Sequence, residues 1–232
     1  MAKRNVPMRN ELKYYISTSD YLILRDRLKA AMPLDRNADP ELRTYQIRSL
    51  YFDDIYNTAM WEKMDGIERR KKWRIRIYNY SDKKISLEKK SKIGKYTGKE
   101  STPMTRYQVD SIIEKNDYSF LFPSGNPLFE EMYADVRTKL LRPIVIVDYI
   151  REPYIYPAGN VRITFDMKLH SGHFRKDIFA PRMMPVPILE DDMMIMEVKY
   201  DYHLSGHLRD ILSSVNGLRS AISKYGLCRR FH

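Results

Sequence analysis

One cysteine, Cys228, is all the chain has. It makes no internal disulfide, fits a reducing, cytoplasmic setting, and reads as a small packing residue. No apolar run approaches the roughly 20 residues that a membrane helix needs, so no direct membrane insertion is expected. Residues 1–7 are basic but lead into no apolar segment, which argues against a signal peptide. Repeats and low-complexity tracts are missing, and 232 residues of 43% hydrophobic content suffice for one core. The expectation is a single domain over 1–232. No Ser/His/Asp or Cys/His set for nucleophilic catalysis stands out. Negative charge is the scarcer sign: 41 Lys and Arg face 30 Asp and Glu, a formal net charge of +11. That excess says little about fold and points to an anionic partner.

Periodicity supplies the elements. Tyr21, Leu24, Leu28 and Met32 recur at helical spacing behind Ser17 and Asp20, which stand as a capping box, so a helix is predicted over 18–32. Further helices are expected over 56–65, 104–115 and 127–140, then from Ser205 to Val215 and near 218–225. Strands are expected over 10–16, 43–53, 69–80, 85–91, 95–102, 143–156 and 161–169, with one more in the segment MIMEVKYDY at 194–202. Hairpin-length connections make the sheet mostly antiparallel.

Charged residues recur two apart inside these strands. The sets are Glu11 and Lys13, Arg74 and Arg76, Glu88 and Lys90, Tyr149 and Arg151, Arg162 with Thr164 and Asp166, and Glu197 and Lys199. Residues two apart in a strand share a face. Each strand therefore has one apolar face and one polar face bearing both signs. A half-solvated sheet is the plain explanation for one strand. For six strands the better explanation is a fold that turns its charged faces inward. The expected class is α+β, a closed antiparallel β-barrel of about eight strands with peripheral helices. A lumen rich in Lys and Arg needs an anion to fill it, and phosphate oxygens suit the planar fork of arginine. The few carboxylates would hold a divalent cation.

Other signals are weaker. His170 and His173 lack further ligands at metal spacing and read as a solvated loop. Glu190–Asp192 reads as a turn, the basic run Arg69–Lys72 as a rim that draws in anions, and the pair Met183 and Met184 as core filling.

The ordered set NELKYYI, SLYFDD, WRIRIYN, SLEKKSK with KYTGKES, DYIREPY, VRITFD, MEVKY and ISKYG resembles the VTC-type polyphosphate polymerase domain, a branch of the triphosphate tunnel metalloenzyme superfamily. The likeness runs over about residues 8–226. It implies phosphate contacts from Lys13, Arg74, Arg76, Lys90, Tyr149, Arg151, Arg162, Ser223 and Lys224, with Lys99 the nearest counterpart of a further lysine. It also implies a metal-binding Glu197 with Lys199 beside it; Glu11 and Glu88 are further metal candidates. The hydrolytic and cyclase branches open with ExExK, whereas this chain has Arg9, Glu11 and Lys13. That departure favours the polymerase branch. The implied partners are ATP, inorganic polyphosphate and Mn²⁺ or Mg²⁺, with any membrane coupling left to a partner. Hydrolysis of a triphosphate and non-catalytic polyanion binding are the alternatives, and nucleic acid is not an expected partner.

Overall fold

The structure is a computed structural model that describes residues 9–94, 96–173, 177–181, 186–215 and 217–230. The signal-peptide reading of 1–7 and the packing role given to Met183 and Met184 fall outside these residues.

In chain order the elements are β1 (Asn10–Ser17), α1 (Thr18–Ala31), β2 (Tyr45–Asp53), α2 (Thr58–Met64), β3 (Arg69–Tyr78), β4 (Ser81–Ile93) and β5 (Tyr96–Met104). Next come α3 (Arg106–Lys115), α4 (Pro127–Lys139), β6 (Arg142–Tyr156), β7 (Val161–His173) and β8 (Val186–Pro187). Last are β9 (Met193–Tyr200), α5 (Gly206–Leu212), β10 (Leu218–Arg219) and α6 (Lys224–Arg229). Two expectations need correction. The helix expected near 218–225 is instead the short β10 followed by α6, which starts where Ser223 caps the amide of Gly226. The stretch around His170 and His173 is part of β7, not a loop.

One antiparallel sheet joins the strands in the order β10-β1-β9-β7-β6-β2-β3-β4-β5, with β8 on β7. The expected closed antiparallel β-barrel is not what forms: among the described residues no ladder joins the ends of the path. A closed barrel would need β1 to pair along its length with β5. Instead, the free edge of β1 is occupied by β10, with Tyr14 opposite Arg219 and Tyr15 opposite Leu218. Among the described residues, the backbone bridge toward β5 is made by the residue before β1, Arg9, with Thr97. What draws β1 toward β4 is a pair of side chains, Lys90 Nζ and Glu11 Oε2 at 2.9 Å.

The apolar strand faces turn outward and are covered by helices. Trp73, Ile75 and Ile77 of β3 are buried in one cluster with residues of α3 and α4. The Trp73 indole donates to Asp135 of α4 at 2.7 Å. Helix α1 lays Leu24 and Leu28 onto Ile163, Phe165 and Val198, and its Ser17–Asp20 capping box forms as predicted. The opposite faces line the concave side of the sheet; most of their residues are polar, but Val145 and Val147 of β6, in line with Tyr149, pack there against Tyr225 and Cys228 of α6. No described helix is long and apolar enough to cross a membrane.

Candidate functional site

A cavity of about 530 Å³ occupies that concave side. Its wall takes Glu11 and Lys13 from β1, Arg74 and Arg76 from β3, and Lys90 from β4. Tyr149 and Arg151 of β6, Glu197 and Lys199 of β9, and Ser223 and Lys224 at α6 line it as well. The alternation of each strand brings these separate segments together, because every second side chain faces in.

The deepest group is built on Asp166 and Glu197. Arg151 grips Asp166 with two bonds of 2.6 and 2.7 Å. Lys224 bridges Asp166 at 2.5 Å and Glu197 at 2.6 Å. Lys199 reaches Glu197 at 3.2 Å, and Lys13 reaches the same carboxylate at 3.5 Å. The second group is Glu11, with Lys90 at 2.9 Å and Lys13 at 3.6 Å. The third is Glu88, held by Arg74 at 2.5 Å, Lys99 at 3.0 Å and Arg76 at 3.9 Å. Tyr51 accepts from Arg74 at 2.8 Å. Bidentate and charge-assisted bonds of this kind fix side-chain direction as well as charge.

Burial works against every one of these charges, and the pairs decide the outcome. Glu11 is held well below the carboxylate range because Lys90, Lys13 and Lys199 outweigh its burial. Glu197 is depressed likewise by Lys224, Lys199 and Lys13. Glu88 is lowered by Arg74, Arg76 and Lys99. Lys224 is raised by Asp166 and Glu197 despite burial. Lys90, by contrast, is lowered to about 8 by burial that Glu11 only partly offsets.

Eleven of the fourteen residues singled out in the sequence therefore line one cavity. Glu88 and Lys99 lie beside it, joined to Arg74. Arg162 does not line it and binds Asp35 at 2.8 Å and the Tyr45 hydroxyl at 2.7 Å. Sequence reasoning placed Asp166 on a polar face without a role; it is fully buried and anchors both Arg151 and Lys224. It also missed Lys63 and Lys92, and saw Arg70 and Lys72 only as part of an anion-drawing rim; all four line the cavity toward one end. The period of two in RRKKWRIRIY could have found two of them. The run Arg69–Lys72 is not a uniform rim: Arg70 and Lys72 face in, while Lys71 faces out to Asp135 and Glu131.

A divalent cation fits this wall in a limited way. Glu11 and Glu197 both line the cavity, and magnesium sites commonly use one or two carboxylates together with substrate phosphates. Glu88 is committed to Arg74 and Lys99. The described residues contain no group of three or more His, Cys, Asp or Glu placed to hold a metal without such help.

The VTC domain family model matches residues 8–231. No curated protein matches the chain. Among solved structures, an adenylate cyclase candidate from Bacillus halodurans superposes with a TM-score of 0.55 at 14% identity, covering 90% of this chain and 89% of that one. An adenylyl cyclase candidate from Hippeastrum, described as having a dominant triphosphatase activity, superposes with a TM-score of 0.53 at 14% identity, covering 97% and 95%. At such identities the likeness is one of fold.

Proposed function

Because the chain belongs to the VTC domain family, we propose that it handles polyphosphate, and that it is an ATP-dependent polyphosphate polymerase housed in a single domain. The observation that carries this reading is a cavity walled on several sides by Arg74, Arg76, Arg151, Lys13, Lys90 and Lys199, with no histidine or cysteine among its described lining residues.

The triphosphate of ATP would lie against these cations. The terminal phosphate oxygen of a growing chain attacks the γ-phosphorus; the new P–O bond forms as the bond to the β–γ bridging oxygen breaks, and ADP leaves with that oxygen. The attacking oxygen is already ionised, so no general base is needed. Catalysis is then positioning and charge stabilisation. Arg74 and Arg76 are held at fixed spacing by Glu88 and Tyr51, and Arg151 by Asp166. A divalent cation, Mn²⁺ or Mg²⁺, held by Glu11 and Glu197 with phosphate oxygens, would add charge neutralisation. Arg76→Ala should lower turnover about 10³-fold, by analogy with arginine fingers.

The test is incubation with ATP and Mn²⁺, with nucleotides read by chromatography and polymer by gel, alongside Glu197→Ala. ADP with a polymer ladder, lost in the variant, supports the reading. Free phosphate without polymer replaces it with triphosphate hydrolysis. Tight triphosphate binding without turnover replaces it with a non-catalytic binding module.

A further inference from the structure

Apart from Arg219 of β10, the cations of the cavity fall into two sets. Lys13, Arg74, Arg76, Lys90, Arg151, Lys199 and Lys224 each have a carboxylate oxygen within 4 Å. Lys63, Arg70, Lys72 and Lys92 also line the cavity. Among the described residues none of these four makes a salt bridge. Lys72 meets only the Ser223 hydroxyl, at 3.4 Å, and the face of Tyr225, at 4.6 Å. Arg70 donates to the carbonyl of Ile67, and Glu62 acts on it only at longer range.

The ladder makes this arrangement costly. Arg70 stands directly opposite Lys92, and Lys72 directly opposite Lys90. Like charges opposed across a strand pair destabilise a sheet. All four groups are pulled below their ordinary values, first by burial; Lys63, Lys72 and Lys92 are lowered further by neighbouring cations, Arg70 and Lys13 among them, whereas burial alone lowers Arg70 and Glu62 partly offsets it. A fold that keeps four unpaired cations in one recess is complementary to an anion it does not itself supply.

Position along β3 gives the anion its shape. Arg70, Lys72, Arg74 and Arg76 occupy alternate positions on one face. Six residues at about 3.3 Å each make a row about 20 Å long, longer than a triphosphate. The row is continuous with the inner set and runs from it toward α2.

We propose that Lys63, Arg70, Lys72 and Lys92 form an outer anion subsite that binds further phosphate units of a condensed inorganic phosphate chain whose end lies among the inner cations. This assignment rests on the polyphosphate reading of the cavity. It distinguishes a chain from a lone triphosphate: the inner set meets both, and the outer set meets only the chain.

The test is calorimetric titration of the full chain with tripolyphosphate and with long-chain polyphosphate, for wild type and for Arg70→Gln/Lys92→Gln. Losing charge-assisted contacts should weaken the long chain about tenfold or more while tripolyphosphate stays within about twofold. Equal weakening of both ligands, or of neither, would overturn the subsite. So would an oligoribonucleotide that binds as tightly as polyphosphate and is weakened alike, since the ligand would then be nucleic acid. The double variant should melt no lower than wild type, because it removes opposed like charges. Should it melt lower, Lys63→Gln on α2, outside the ladder, provides the same comparison, with a selective loss of about threefold expected. A wild-type enzyme that binds both phosphates but makes no polymer would sink the polymerase reading and leave this comparison intact.

Discussion

Asp166 shows how much of the cavity hangs on single residues. It is fully buried, and its charge is tolerated because Arg151 and Lys224 surround it. Removing one partner of such a pair strands the other in a low-dielectric interior. Arg151→Ala should therefore lower unfolding free energy by about 3 kcal/mol, read by urea denaturation. Lys72 presents the opposite case. Its side chain faces Lys90 of β4, Lys13 of β1, Arg70 of its own strand and Lys63 of α2, with Ser223 and Tyr225 beside it. Burial and these neighbours lower it from 10.5 to about 7. Its pKa is thus lower folded than unfolded, so the unfolded chain carries the extra proton between those values, and this group's contribution to stability rises with pH across that window. Lys72→Met should raise Tm at pH 6, and the gain should fade by about pH 10. These two residues also mark what the sequence disclosed. The i, i+2 spacing of Arg74 and Arg76, or of Glu197 and Lys199, announces a shared polar face. It does not announce which carboxylate from another strand each will meet, and so Asp166 carried no visible role.

Among the elements, those with local causes were legible. Helix α1 begins where Ser17 and Asp20 cap it, and the β4–β5 turn falls at Gly94, whose φ of 56° suits a residue without a Cβ. The segment 218–225 was misread, because its conformation is set by distant partners. β10 pairs with β1, and the Tyr225 hydroxyl donates to Asp53, which also accepts from the amides of Ala59 and Met60 at the start of α2. One buried carboxylate thereby ties α6 to α2, and α6 in turn carries Lys224 into the cavity. Asp53→Ala should destabilise the protein by about 2–3 kcal/mol, and amide hydrogen exchange should quicken in α2 and α6 before it does in β6 or β7.

Taken whole, the molecule inverts the usual sheet arrangement, with apolar faces outward under helices and charge within. Eight strands of eight residues or more were foreseeable from alternation. Closure was not, because it depends on which segment wins the free edge of β1, and the two residues of β10 win it. A cavity so rich in cations should stabilise the fold when filled. Tripolyphosphate at about 100 times its Kd should add about 2.7 kcal/mol, a rise in Tm of about 5–10 °C. That rise should shrink as added salt screens the wall, read by scanning calorimetry.

The place of Lys224 has a consequence in time. Synthesis delivers Glu197 to the folding chain 27 residues before Lys224, a wait of a few seconds at about 5–20 residues per second. During that interval Asp166 lacks one of its two cations, and for most of it β1 has a bare edge awaiting β10. The sheet can assemble while its floor is unfinished. A nascent chain arrested before Lys224 would have every described strand and no completed receptor for phosphate, so anion binding is acquired with α6 rather than with the sheet.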